Sequence, residues 1–487
     1  MAPLNTSSVF LSSSLLMLFL LCSSEKGYAL QGRKITERHL PQHSHVTIEI
    51  GSLLPASVCS PSPKGNIKRA SLKVVHRHGP CSQLGQDKAN APSVTQILSQ
   101  DQSRVDSIQS RLAFNSGKNS SLKNSQATLP ANSGRLLGTG NYFVTVGLGT
   151  PEKKLSLEFD TGSDLTWTQC QPCVVSCYKQ QEPTFDPSQS TTYSNVTCDS
   201  LQCSQLTSAT GNSPGCSGNT CLYRIRYSDQ SFSIGYFAKE KLTLTSTDVI
   251  DGFLFGCGQN NQGLFRGTAG LLGLGRDKLS VVSQASQKYG NYFSYCLPSI
   301  SSSSTGHLTF GNSGVPSNVQ FTQLLTNPQG PSFYFIDIEA ISVGGSTLPI
   351  DESVYSTAGG TIIDSGTVIT RLPPDAYSAM RTVFQQQMTK YPMTQGVSIF
   401  DTCYDFSNYT GNISIPTISF FFIGSVKVDL DPSGILYGVG TSQACLAFAG
   451  NSNATDVGIF GNVQQQTFEV IYDVAGGKLG FGPGQCS

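Results

Sequence analysis

Two four-residue strings constrain this chain more than anything else in it: Asp160-Thr161-Gly162-Ser163 and Asp364-Ser365-Gly366-Thr367. Each follows an apolar strand-like run, Leu155, Leu157 and Phe159 in the first case, Ile362 and Ile363 in the second. Each then breaks at once into a glycine turn. A strand ending this way presents its terminal carboxylate at the mouth of a tight loop, because glycine lets the backbone fold back. One such string reads as an ordinary solvated turn. Two, about two hundred residues apart and each behind a buried strand, describe a duplicated lobe that donates one carboxylate per copy.

Two aspartates at hydrogen-bonding distance cannot both ionise. One pKa falls, the other rises, and the pair holds a single proton over an acidic range. The charged partner can then take a proton from water while the protonated partner hydrogen-bonds a substrate carbonyl. Water attacks the peptide carbonyl with no covalent enzyme intermediate. Asp160 and Asp364 are therefore the candidate catalytic residues. The hydroxyls of Ser163 and Thr367 suit orienting the pair, Thr161 and Ser365 could tie the loops together, and Gly162 and Gly366 supply the turns. The competing reading is two unrelated surface turns, which the matched context disfavours.

At these residues, and along Asp160-Thr-Gly-Ser-Asp-Leu-Thr-Trp-Thr-Gln-Cys170 with Gln-Pro-Cys173, the chain resembles the pepsin-like aspartic proteases. More narrowly it looks like the nepenthesin-type, or atypical, plant branch, close to the chloroplast-nucleoid aspartic protease subgroup. The resemblance spans Gly138 to the C-terminus. It implies an all-β, bilobal fold: two related β-barrel-like lobes, over 136–326 and 327–487, with an active-site cleft between them and an α+β prosegment in front. It also implies Asp160 and Asp364 as the catalytic pair, a preference for large hydrophobic residues beside the scissile bond, and no cofactor.

Net charge is zero over 487 residues, but it is unevenly spread. Leu30 to Arg135 carries fourteen Lys/Arg against five Asp/Glu, whereas Leu136 onward carries sixteen against twenty-five. A basic leader on an acidic body suggests a detachable electrostatic cover. The acidic body argues against nucleic-acid binding, which needs a basic surface. Twelve of the fifteen cysteines lie after Arg135, an even number, with seven of them crowded into Cys170 to Cys221, as expected of disulfides formed in an oxidising compartment. Metal or redox chemistry at Cys170, Cys173 and Cys177 is the alternative. No second ligand pair follows, and His307 is the body's one histidine. No metal site is expected. Pairing does not follow from the residues. The resemblance implies Cys170–Cys173, Cys177–Cys257, Cys198–Cys221, Cys203–Cys216, Cys296–Cys486 and Cys403–Cys445, and Cys59 could bridge to Cys81 in the leader.

Residues 1–29 read as a secretory signal peptide, with an apolar centre at Leu15 to Cys22 too short to span a bilayer. No later stretch reaches transmembrane length, so the mature protein is expected to be soluble. Residues 30–135 form the candidate prosegment. Ser71 to Arg77 alternates like a strand, and Val94, Ile97, Leu98, Val105, Ile108 and Leu112 fall at helical spacing. Basic residues such as Lys73 or Arg77 are expected to approach the aspartates. His39, His43, His45, His76 and His78 would gain charge on acidification, loosening the cover and permitting self-cleavage within Thr128 to Leu137.

In the first lobe, Cys221 to Ala238 alternates on both sides of a polar turn, a hairpin long enough to cover a cleft. Tyr227 in it matches the family's flap tyrosine, which caps substrate. Trp167, the single Trp, reads as core, and in the family's arrangement a Trp here supports that tyrosine. Cys198 to Cys221 has too few apolar residues for its own core and resembles the nepenthesin-type insertion. Gly270-Leu-Leu-Gly273 and Ile459-Phe-Gly461 match family elements that cross behind the active-site loops. Pro298 to Pro316 reads as a Ser- and Gly-rich loop with His307 on its surface, and Pro374 to Lys390 as a helix. Asn119, Asn195, Asn408, Asn412 and Asn453 are sequons, available for glycans along a secretory route. No inserted domain of saposin type interrupts the second lobe.

The expected protein is a secreted aspartic endopeptidase made as a zymogen. It would be a monomer that hydrolyses protein or peptide substrates at acid pH and is inhibited by its own prosegment. The apoplast is the expected destination, with vacuole or plastid as alternatives. Two rivals stand beside it: a non-catalytic inhibitor or binding protein on the same fold, like the xylanase-inhibitor and storage-globulin relatives, and a plastid protease with nucleic-acid binding. Both aspartate loops are intact, which disfavours the first.

Overall fold

The computed structural model describes residues 44–60, 70–84, 92–115 and 142–486, except 228–230, 264, 266, 314, 357–358, 410 and 485. The signal segment, His39, His43, Asn119 and the expected processing stretch lie outside these residues.

The strand preceding each aspartate is built the same way twice. In the first lobe Lys153–Asp160 pairs in parallel with Gly270–Gly273, which runs antiparallel to Trp167–Gln169. In the second, Thr361–Ile363 pairs in parallel with Gly458–Phe460, which meets Thr370–Leu372 antiparallel at Arg371 and Ile459. Each aspartate loop is thus backed by a short apolar strand crossing behind it. The crossing needs glycine: a Cβ on Gly273 would sit on the Asp164 carbonyl. These strands are buried on both faces, which is why they read as continuous apolar runs.

A fifteen-stranded sheet carries the first lobe and reaches beyond it, because the C-terminal strands Phe468–Asp473 and Lys478–Pro483 join its far end. Among the described residues, sheets of five, four and four strands, with a two-stranded sheet that a leader strand completes, make the rest of the second lobe. The helix Pro374–Gln387 ends slightly earlier than its sequence pattern suggests, and packs Ala376, Met380 and Phe384 into the core. The result is mostly β, two-lobed and pepsin-like. Among the described residues no helix is long and apolar enough to cross a membrane.

The leader is woven into both lobes. Its strand Ser71–His76 lies between Gly306–Phe310 and Tyr142–Leu148 in the large sheet. A second leader strand, His45–Glu49, pairs antiparallel with Asn412–Pro416. The helix Val94–Asn115 buries Ile97 and Leu98 against Val368 and Ile369, and Val105, Ile108 and Leu112 against Phe333, Phe335 and Ile362. Each such side chain contributes roughly 1.5–3 kcal/mol when fully buried. The periodicity of 94–112 is therefore a docking face.

Several expectations change. Pro298 to Pro316 is not all loop: Gly306–Phe310 is a strand, paired on both sides. His307 is not an idle surface residue, since its Nε2 lies 2.7 Å from buried Glu469. Seven disulfides are present among the described residues, and Cys59–Cys81, Cys296–Cys486 and Cys403–Cys445 pair as anticipated. The other four differ: Cys170–Cys257, Cys173–Cys177, Cys198–Cys216 and Cys203–Cys221. The reason is which way each side chain faces. Cys170, just past Trp167–Gln169, and Cys257, on the strand paired with it, are both fully buried, whereas Cys173 and Cys177 belong to a surface loop. Cys203 and Cys221 point into one apolar cluster, and Cys216, opposite Cys221 in its hairpin, faces outward to Cys198. Of the sequons, Asn195, Asn408, Asn412 and Asn453 are exposed.

Candidate active site

The two aspartate loops meet. Thr161 N–H donates to Ser365 Oγ at 3.1 Å, and Ser365 N–H donates to Thr161 Oγ1 at 2.9 Å. This reciprocal pair holds one loop against the other. Within each loop the carboxylate is oriented twice over. Gly162 N–H and Ser163 Oγ donate to the two oxygens of Asp160, at 2.9 and 2.5 Å. Gly366 N–H and Thr367 Oγ1 do the same for Asp364, at 3.2 and 2.6 Å. Both glycines are needed for closeness: a Cβ on Gly162 would lie 2.9 Å from Asp364 Oδ1, and one on Gly366 would lie 2.5 Å from Asp160 Oδ1. Both aspartates are buried.

A cation sits between them, and it is neither Lys73 nor Arg77. Arg104, from the leader helix, places Nη2 2.7 Å from Asp160 Oδ1 and 2.9 Å from Asp364 Oδ1, while its Nε donates to Asp364 Oδ2 at 2.9 Å. Lys73 is exposed on its strand, and Arg77 pairs with Glu158. Burial pushes Asp160 up, but Arg104 and the hydrogen bonds from Ser163 and Gly162 outweigh it, leaving the group below its ordinary value. Burial raises Asp364, Arg104 opposes, and the charge on Asp160 adds to the rise, leaving it high. Burial disfavours charge on Arg104 too, yet the two carboxylates hold its pKa above the ordinary value. The two carboxyls are pushed apart, as a proton-sharing pair requires.

The same helix clamps the second loop. Asp101 accepts from the Val368 and Ile369 N–H groups at 2.6 and 3.1 Å and pairs with buried Arg371 at 3.0 Å. Arg111 lies over the Phe333 ring at 4.1 Å. Arg104, Asp101 and Arg111 were missed in the sequence. The available signal was a charged residue, Asp101, interrupting an otherwise apolar stripe.

Over the dyad, the flap hairpin Thr220–Arg226 and Phe232–Thr245 brings Tyr227 to Trp167, whose Nε1 donates to the Tyr227 hydroxyl at 3.0 Å. Trp167 is fully buried with its ring edge-on to Phe265. A cavity of about 140 Å³ under the flap is lined by Asp160, Tyr227, Ile225, Phe265 and Leu271, among others. Cys170, Cys173 and Cys177, the metal alternative, are all consumed in disulfides.

Asp164, one turn beyond the dyad, links the lobes: Ser332 Oγ donates to its Oδ1 at 2.5 Å and Asp277 N–H at 2.9 Å. Burial pushes its carboxyl up to about 7, against those hydrogen bonds. A group protonated in the folded state but ionised when unfolded stabilises acid conditions. Its contribution is present at about pH 4 and is lost as pH rises toward 7. Asp164→Asn should therefore flatten the pH dependence of stability in that window, on the order of 3 kcal/mol. Urea midpoints at pH 4 and 7 that move identically in both proteins would refute this.

Two related lobes with paired aspartate loops define a pepsin-like aspartic protease. Comparison with known proteins agrees. Residues 142–312 match the family model described as xylanase inhibitor N-terminal, and residues 333–483 the one described as xylanase inhibitor C-terminal. The chain is 56% identical over 453 residues to an aspartyl protease family protein of Arabidopsis thaliana, covering 93% of this chain and 94% of that protein. It is 52% identical over 441 residues to aspartyl protease AED1 of Arabidopsis thaliana, covering 90% and 92%. It is 38% identical over 356 residues to aspartic proteinase nepenthesin-2 of Nepenthes gracilis, covering 72% and 78%. Among solved structures, edgp superposes with a TM-score of 0.58 at 23% identity, covering 71% of this chain and 92% of that one. Soybean basic 7S globulin superposes with a TM-score of 0.55 at 22% identity, covering 70% and 92%. Those two likenesses bear on the fold alone. The chain belongs to the plant pepsin-like aspartic proteases and is an aspartic-type endopeptidase.

Proposed function

We propose that this chain is a secreted zymogen that hydrolyses peptide bonds at acid pH through Asp160 and Asp364, its N-terminal segment acting as an inhibitory prosegment. The observation that carries this reading is the convergence of both carboxylates on one Arg104 nitrogen inside a cavity under a tyrosine-bearing flap. Once Arg104 leaves, a water takes the place between the carboxylates. Ionised Asp160 accepts a proton from that water as its oxygen attacks the scissile carbonyl carbon. Protonated Asp364 donates to the carbonyl oxygen, giving a tetrahedral diol. The diol collapses as the C–N bond breaks and a proton passes to the departing nitrogen. Tyr227, held by Trp167, closes over the peptide and excludes bulk water. The site is complete within one chain, in keeping with a monomer. A protein-substrate assay at acid pH, with pepstatin as inhibitor, tests the reading. Activity that pepstatin blocks is expected; none at any pH after removal of residues 1–137 would favour the non-catalytic rival.

Acid release works through burial in this reading, not through weakened attraction alone. Burial holds His76 well below its ordinary value, with His78 and Arg77 acting in the same direction. Burial and Arg77 hold His78 down at about 4. Both imidazoles are neutral while docked. Below about pH 6.5 the undocked leader takes up protons that the docked one refuses, so docking weakens as pH falls from 6.5 toward 4. Self-processing should accelerate across that window, and the double variant His76→Gln, His78→Gln should show a flatter profile. Identical profiles would discount the histidines.

A further inference from the structure

Glu158 is a buried carboxylate that the dyad chemistry does not use. It lies two residues before Asp160 on the same strand and therefore on the same face of the sheet. It is 3% exposed and lines the same cavity as Asp160, Tyr227, Ile225, Phe265 and Leu271. The cavity wall also carries charged groups, Arg104 and Arg111 from the leader helix and Arg226 from the flap among them, and burial pushes the Glu158 carboxyl up. Its ion-pair partner is Arg77, with Nη1 at 2.6 Å, and Thr268 Oγ1 donates to it at 3.4 Å. Arg77 belongs to the leader: it follows the strand Ser71–His76, which pairs with Tyr142–Leu148, whose Phe143 stands opposite Glu158. From there the leader runs past Gly267, beside which Leu84 lies.

The cation that compensates Glu158 thus departs with the leader. Among the described residues Glu158 has no ion pair with the rest of the chain. A desolvated carboxylate beside the dyad then faces the space an extended peptide must fill. It favours a ligand that restores the lost cation, and Ile225, Phe265 and Leu271 on the cavity wall suit the aliphatic stem of a long basic side chain.

We propose that Glu158 is a specificity-determining carboxylate that selects Arg or Lys side chains of peptide substrates next to the scissile bond, a basic group taking over the ion pair that Arg77 makes before maturation. This deepens the peptidase reading above and rests on it. It also fits the stretch where self-cleavage is expected, 128–137, whose one basic residue, Arg135, is followed by Leu136 and Leu137.

The test uses the mature form and matched peptides carrying Arg or norleucine in turn at each position flanking the cleaved bond. At one position, kcat/KM for the Arg peptide should exceed that for the norleucine peptide by at least ~10-fold. That ratio should fall to about 1 in Glu158→Gln, whose amide oxygen still accepts from Thr268. No preference at any position, or the same preference in both enzymes, overturns the proposal. Binding of the same peptides to the uncleaving Asp364→Asn mature form provides an independent arm. Roughly tenfold tighter binding of the Arg peptide, lost on adding Glu158→Gln, supports the proposal even if the parent cuts nothing, which would reject only the peptidase mechanism. Equal binding of both peptides overturns it outright.

Discussion

Asp364→Asn, and equally Asp160→Asn, is expected to lower kcat of the mature protein by about 10⁴-fold while leaving it folded. Each aspartate has a distinct half of the proton traffic, so a neutral amide at either position removes one half completely. The fold should survive because Asn keeps an oxygen to accept from Gly366 or Gly162 N–H, the bonds that shape the two turns. In the mature form the substitution also ends the competition of two adjacent buried carboxyls for one charge, so the thermal midpoint should hold or rise. Peptide hydrolysis measured beside circular dichroism separates the two effects. Full activity in either variant would end the two-aspartate mechanism.

The second large effect is expected from Arg104→Met in the precursor. Arg104 is largely enclosed between two buried carboxylates and touches both loops. Taking away one member of a buried ionic cluster costs about 3–5 kcal/mol, because the partners stay behind without compensation. Leader affinity should drop by roughly 10²- to 4 × 10³-fold. The unprocessed precursor should then gain peptidase activity at mildly acid pH, where the parent precursor is still silent, and residues 44–115 supplied separately should inhibit the mature form correspondingly less well. Arg104→Lys should fall between, since an ammonium supplies charge but not the planar fork that reaches both carboxylates. A precursor with Arg104→Met that stays as silent as the parent would remove Arg104 from the inhibitory role.

Much of the architecture is legible in the residues. The place of the glycine-bearing strands behind the aspartate loops follows only from the family resemblance, whereas the repeated Asp-x-Gly strings and the apolar strands before them are readable because alternation and turn chemistry are set by neighbours a few positions apart. The leader's strand and helix were legible for the same reason. What escaped were partnerships between residues far apart in the chain. Arg104 meets Asp364 across 260 positions, and nothing in the sequence ranks it above Lys73 or Arg77 as the cation of the dyad. Cysteine pairing failed where two candidates were near in sequence and only their facing distinguished them, as with Cys216 and Cys221. Along the chain Glu158 is one polar residue alternating with Leu157 and Phe159, and only the fold sets Arg77 against it.

The sequence by itself determined that two carboxylates would end two buried strands, that glycine turns would hold them, and that a basic, partly helical leader would precede an acidic β-rich body. Those features depend on local sterics and on short-range periodicity. Only the tertiary structure decided which cation enters the dyad, which cysteines join, and that a second buried acid shares the cavity with Asp160. Such choices depend on which groups packing forces out of water together, and a charge removed from water takes its partner from whatever the fold brings near, however distant along the chain.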